Sequence, residues 1–332
     1  MPLTRQAVMA LATALTAALT AAACSTSGLS HAASRPAKAA PSSTRVVVTT
    51  GRVPWRLPAP VSRLVALPDG AGVLLAGGLD ASDVSGRGID HLDLATGELT
   101  RIGTLAHPVH DAAGARLSVG VVIFGGGTAG STAAVQRFDV SGSARDVGHL
   151  PQPRSDLSAV TLGGRAFLLG GYTGYSQPAS VLETTDGATF RIVTRLPVAV
   201  RYAAVTAVGA TIWVFGGSHD GHPVRDIQRI DTRTGDAQVV GLLPTPLSDA
   251  AAMVVAGEIL LAGGRTSATH VTDAVYAFDP ARAVVRLVAH LPVPVADAGI
   301  VVIADTGYLL GGENGSTLAL VQTLAGHRVP SR

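Results

Sequence analysis

The sequence predicts an all-β protein, a six-bladed β-propeller with four antiparallel strands per blade. Three observations carry that expectation. A run of four or five apolar residues ending in Gly-Gly occurs six times, at Val73–Gly78, Val121–Gly126, Ala166–Gly171, Thr211–Gly217, Glu258–Gly264 and Gly307–Gly312. None of these runs has helical spacing, so each reads as a buried strand. A leucine, nearly always followed by proline, precedes the first glycine of each pair by 20 residues: Leu57, Leu105, Leu150, Leu196, Leu243 and Leu291. The step from one such leucine to the next is 45 to 48 residues, too long for one helix pair and right for a four-stranded propeller blade.

The composition fits that reading. Charged residues make up only 14% of the 332-residue chain, against about a quarter in ordinary soluble domains. Beyond residue 23, however, no run approaches the roughly 18 apolar residues of a spanning helix. The apolar excess is spread over short segments cut by Gly and Pro, as strands covered on both faces require. The net charge is +2 and lysine is almost absent, so the basic charge is scattered arginine. With no basic stripe or interleaved aromatics, a nucleic acid partner is not expected.

Taken in order, the chain opens with Met1–Arg5 and the apolar stretch Ala7–Ala23, which read as a signal sequence over residues 1–23. The one cysteine follows at once. Ala21-Ala22-Ala23-Cys24-Ser25 resembles a bacterial lipobox, which implies that Cys24 carries a lipid and holds the protein on the outer face of the cell membrane. Ordinary cleavage after Ala23 would instead leave a secreted protein with a free thiol. Residues 24–44 are Ser/Ala/Pro-rich without periodicity and read as a disordered tether. The folded part spans residues 45–332. It is expected to act as a monomer that meets the membrane only through its anchor.

Each repeat then supplies four strands. The first follows the Leu-Pro turn, as in Ala203–Val208 and Ala298–Ile303, and is small and apolar because the strands nearest the axis are crowded. The second ends at Gly-Gly, where glycine allows positive φ and close backbone approach. The third ends at an aspartate before a turn: Asp93, Asp139, Asp186, Asp231 or Asp279. Such a carboxylate can accept backbone N–H groups two residues on, a structural role that outweighs a catalytic one. The fourth strand returns to the next Leu-Pro. The last repeat lacks an apolar fourth strand, and the missing piece lies at the other end of the fold. Gly51–Leu57 is expected to pair with Leu318–Leu324 and close the circle from the N-terminal side.

Gly-Gly at the end of strand two and an aromatic-Asp pair at the end of strand three (Phe138-Asp139, Phe278-Asp279) resemble the kelch repeat over about Ser62 to Gly326. The resemblance implies a six-bladed kelch-like propeller, an architecture that serves oxidases, sugar mutarotases and protein-binding platforms alike. A copper oxidase of the galactose oxidase type needs a cysteine cross-linked to tyrosine. Cys24 is the only cysteine here, so that activity is set aside.

One column of the repeat suggests a site. Six residues after each leucine stand Arg63, Asp111, Asp156, Tyr202, Asp249 and Asp297. In a propeller this position would form a ring where the chain turns into the channel, with Arg201 and Arg154 next to it. Four carboxylates so placed repel unless arginines, a cation or an amine neutralise them. The alternative is that each Asp caps the N–H groups of its own Leu-Pro turn. Two further patterns carry less. His107-Pro-Val-His110 and His219-Asp-Gly-His222 have two candidate ligands each where zinc needs at least three. Thr184-Thr185-Asp186-Gly187 resembles a shortened sialidase Asp-box, itself a structural turn. No catalytic residue, metal or cofactor is assigned.

The functional expectation is a binding module at the cell envelope, with an unidentified envelope protein or glycan as partner. The alternative is a sugar mutarotase or lyase working through the carboxylate ring. A large apolar loop patch would favour the first, and a pocket holding carboxylates of raised pKa the second.

Overall fold

The computed structural model describes residues 44–139 and 142–330. The predicted signal sequence, Cys24 and all but the last residue of the tether lie outside them. Among the described residues there is no helix, and six four-stranded antiparallel sheets follow one another along the chain. Blade IV shows the pattern, with strands Ala204–Val208, Thr211–Phe215, Asp226–Asp231 and Ala237–Leu242 in spatial order. Its first two strands form a tight hairpin, Val208 opposite Thr211 and Ala204 opposite Phe215.

Each sheet is covered on both faces by its neighbours. The core therefore divides into six clusters, one between each pair of adjacent blades. Between blades IV and V the ring of Phe278 packs edge-on against Trp213 at 4.9 Å and Phe215 at 5.1 Å between centroids. In five blades the pairing of strands three and four slips by one residue immediately after a fully buried aliphatic: Ile89, Val135, Val181, Ile227 or Val275. Such a bulge adds local twist, as outer strands that splay from the axis require.

The glycine pairs hook one blade to the next. In blade IV, Gly216 and Gly217 have φ of 55° and 96°. The Gly217 N–H donates to the Leu247 carbonyl of the chain entering blade V at 2.8 Å. A Cβ on Gly216 would stand only 2.0 Å from that same oxygen, so no side chain fits. The same hook recurs at every pair, and Gly312 donating to Val61 carries it from blade VI to blade I.

The circle closes as the sequence predicts, with shifted boundaries. The outer strand of blade VI is Thr44–Arg52, paired antiparallel with Val321–Pro330 from Thr44 opposite Pro330 to Arg52 opposite Gln322. The expected Gly51–Leu57 and Leu318–Leu324 thus overlap the true strands without matching them. Past Arg52 the ladder ends because Pro54 has no N–H to give. Beyond it Val53, Leu57 and Val61 donate singly to the Val321, Ala319 and Leu318 carbonyls. The third-strand aspartates behave as turn residues. Asp93, Asp186, Asp231 and Asp279 each accept N–H groups two and three residues on. For Asp186 those bonds, from Thr189 and Ala188, pull the carboxyl down to about 2.

Candidate functional site

The six column residues form a closed hoop. Asp111 N–H donates to the Arg63 carbonyl, Asp156 to Asp111, Tyr202 to Asp156, Asp249 to Tyr202, Asp297 to Asp249 and Arg63 back to Asp297, at 2.9 to 3.2 Å. All six have positive φ, between 51° and 59°. Asp tolerates this left-handed conformation better than most residues, which gives the column one structural reason for its aspartates. Arg63 and Tyr202 have no such excuse and carry a strain of roughly 1–2 kcal/mol each.

The side chains of the hoop pair with arginines rather than with their own turns. Arg63 reaches Asp111 at 3.0 Å and Glu313 at 2.8 Å. Arg201 reaches Asp156 at 3.1 Å and lies over the rings of Tyr172 and Tyr202 at 4.9 and 5.2 Å. Arg265 meets Glu313 at 2.8 Å, Asp297 at 3.2 Å and Asp249 at 3.8 Å. Ser248 adds a hydrogen bond to Asp249, and Ser62 one to Glu313. Among the described residues none of the four column carboxylates caps its own Leu-Pro turn.

Five carboxylates here face three guanidiniums, and the four aspartate side chains are nearly closed to solvent, at 4 to 8% exposure. Burial therefore opposes full ionisation. It pushes Asp111 up to about 8 despite Arg63 beside it. Burial likewise raises Asp249 and Asp297, and the neighbouring charge of Asp249 pushes Asp297 further in the same direction. Burial and then Arg63 hold His110 below the ordinary imidazole value, while burial and the carboxylates of Asp111 and Asp156 push Tyr202 up. Burial would raise Glu313 too, but Arg63 and Ser62 outweigh it and keep that carboxyl low.

The ring separates two cavities. Outside it lies a polar mouth of about 170 Å³, lined by Arg63, Tyr202, Asp249, Arg265 and the loops at Ser218 and Ser267. Inside it lies a bore of about 600 Å³ running between the innermost strands, such as Ala113–Leu117 and Gly299–Ile303. Arg63, Tyr202 and Asp249 face both cavities.

The structure thus brings together all seven residues singled out in the sequence. Arg154, taken there for a neighbour of the ring, is elsewhere. It is fully buried, and its guanidinium donates to the Gly170 and Ser180 carbonyls and the Ser180 hydroxyl. Glu313 and Arg265 were missed. Both directly follow a Gly-Gly pair, where the chain bridges back to the residue before the hoop, Glu313 to Ala296 and Arg265 to Ser248. That column was there to be read. The first histidine pair diverges, His107 bonding Asp146 and His110 bonding Ser85, while His219 bonds the Ala199 carbonyl and stands opposite His222 in a short hairpin. Among the described residues no group of three or more His, Cys, Asp or Glu side chains could hold one metal ion.

These features define a six-bladed β-propeller with a ring of buried, ion-paired carboxylates at one end of its channel. The solved structure of YjhT is similar to it, with a TM-score of 0.72 over 82% of this chain and 99% of that one, at 13% sequence identity. At that identity the likeness shows the fold alone. No protein family and no curated protein matches the sequence.

Proposed function

We propose that this chain is an exported, lipid-anchored, kelch-like binding propeller of the cell envelope, whose mouth takes a small acidic sugar or the acidic residue of a glycan. The observation that carries the reading is the lining of the mouth. Arg63 and Arg265 line it and, beyond the ion pairs both make with Glu313, keep part of each guanidinium exposed toward a ligand carboxylate. Tyr202 and the serines at positions 218, 248 and 267 supply groups that exchange hydrogen bonds with hydroxyls. Strain at Arg63 and Tyr202 marks the same place. Among the described residues most of the exposed large aliphatics lie on outer strands, as at Ile192, Leu242 and Leu287, while Val84 and Tyr175 are exposed on loops that follow Gly-Gly pairs.

Calorimetry with uronic acids and their neutral parent sugars tests the site. The acids should bind and the neutral sugars should bind at least tenfold more weakly, with the acid preference lost in Arg265→Gln. Equal binding of both classes, or none, overturns the assignment. Export and anchoring are tested separately. A Cys24→Ala variant should move from the membrane fraction to the soluble one with its melting point unchanged, and membrane retention would refute the anchor.

A sugar-acting enzyme is the second reading, favoured by the raised carboxylates of Asp111, Asp249 and Asp297 at the pocket. A carboxylic acid beside a carboxylate is the pairing that general acid–base chemistry on a sugar uses. Accelerated interconversion of sugar anomers, followed by NMR and lost in Asp249→Asn, would establish it.

A further inference from the structure

The bore has a different chemistry from the mouth. Along each innermost strand alternate residues face the axis. Below the ring no charged residue lines the bore, and its only polar side chains are Ser158, Thr161 and Thr206. Of these, Ser158 is already committed, its hydroxyl donating to the Ala203 carbonyl at 2.8 Å. The walls are otherwise Ala, Gly, Val, Leu, Ile, Met and Pro. A volume of about 600 Å³ falls within the ~300–1,000 Å³ of small-molecule sites.

The two faces of the ring differ in charge as well. Asp111, Asp156, Asp249 and Asp297 all line the bore, accompanied by a single guanidinium, that of Arg63. Arg265 lines the mouth and not the bore, and Arg201 lines neither. The mouth therefore shows two guanidiniums and one carboxylate, and the bore four carboxylates and one guanidinium. An apolar tube with a carboxylate-rich floor is complementary to a molecule with an apolar body and a cationic head. A bare metal ion is disfavoured, because no three of these groups converge on one point and an ion gains nothing from apolar walls.

We propose that the bore is a second binding site, distinct from the mouth, which takes a small ammonium-bearing amphiphile with its head against the aspartate ring and its apolar body along the bore. It stands whether or not the mouth binds acidic sugars. Burial raises the Asp111 carboxyl to about 8, and an ammonium head beside it favours the ionised form. Binding therefore releases protons and tightens as pH rises, so long as the amine itself stays charged.

Titration of the full chain carrying Cys24→Ser with hexylammonium, hexanol and hexanoate tests this, because the three share a body and differ in head. Hexylammonium should bind at least tenfold tighter than hexanol, and hexanoate weakest of all. Its affinity should rise several-fold from pH 6 to 8.5, with proton release seen as a heat that depends on the buffer. An excess of uronic acid should not displace it. Equal affinity for all three probes, or a preference for hexanoate, overturns the proposal without reference to any variant. Thr161→Trp, at an exposed position on the bore wall, should abolish hexylammonium binding. If it leaves both the melting point and the binding unchanged, the bore is not the site.

Discussion

Arg265 stands 3.2 Å from Asp297, two blades' worth of negative charge converging on it because Asp249 lies 3.8 Å from the same guanidinium. It also holds Glu313 at 2.8 Å. One side chain following a Gly-Gly pair thus offsets acids from blades V and VI. Replacing it with methionine keeps the bulk and removes the charge. Arg265→Met should destabilise the fold by about 2 kcal/mol at neutral pH, less than a fully buried pair because Arg265 keeps some solvent contact. The loss should shrink as pH falls and the stranded carboxylates take up protons. Denaturant melts of variant and native protein at pH 5 and pH 8 would show whether the gap closes.

The raised carboxylates fix the direction of the pH dependence. Asp111 titrates near 8 in the folded protein and at about 4 when unfolded. Between those values the folded chain holds a proton that the unfolded chain has lost, so stability falls as pH rises. Asp249 and Asp297, both raised, act with the same sign. The melting temperature should drop from pH 5 to pH 8, and Asp111→Asn should flatten that slope. A melt that rises over this range would contradict the assignment.

Closure by the N-terminal strand should be worth a large share of the stability. Thr44–Arg52 supplies the whole outer strand of blade VI, and Thr50 also reaches the His290 carbonyl of blade V. A chain beginning at residue 53 should melt roughly 10 °C lower or more, since each kcal/mol is worth about 2–4 °C in a domain of this size. An unchanged melt would mean that the sheet ring closes by other means.

The glycine hooks are testable by contrast. A Cβ at Gly216 would strike the Leu247 oxygen at 2.0 Å, whereas Gly209, also at positive φ, has nothing within 4 Å of its Cβ position. Gly209→Ala should cost only the roughly 1 kcal/mol of its conformation. Gly216→Ala should cost several times that, because two blades must separate to admit the methyl group. Equal costs in chemical denaturation would remove the hook from the account of the fold.

Arg154 takes a position held by Val61, Val109, Val200, Leu247 and Val295 in the other repeats. Its Nε is buried with no partner, and burial pulls its pKa down to about 10. Arg154→Leu alone should cost ~1–2 kcal/mol by stripping Ser180 of its donors. Combined with Ser180→Ala, the change should recover only part of that loss, because the Gly170 and Ser180 carbonyls still lack the donor that Arg154 supplied. A double variant weaker than the single one would show that the arginine has a structural role beyond these bonds.

The architecture was legible in the sequence because the repeat states it twice, in the fixed interval from Leu to Gly-Gly and in the turn aspartates. The hoop was legible as a column, since a fixed interval means a fixed place in the blade. Its chemistry was only half legible. Whether Asp156 caps a turn or meets Arg201 is a matter of side-chain direction, and a left-handed backbone at the column sends the carboxylates away from their own turns. Glu313 and Arg265 escaped notice because no other repeat has a charge at their position: Leu79, Gly127, Tyr172 and Ser218 stand there instead. The strand boundaries of blade VI were not legible because the hydrophobic pattern runs on through Pro54, whereas the ladder stops at Arg52, before a residue with no N–H to give.

Thr44 lies directly across from Pro330 on the outermost pair of strands, so the two ends of the fold leave the molecule side by side. A two-residue turn could splice them as an ordinary hairpin, and the chain could then be opened at Gly163-Gly164, a turn whose glycines have no neighbour within 4 Å of their Cβ positions. The resulting circular permutant would keep every blade, both cavities and the unbroken hoop between them. Blade order in this protein is a property of a circle, which any of several loops could open without changing it.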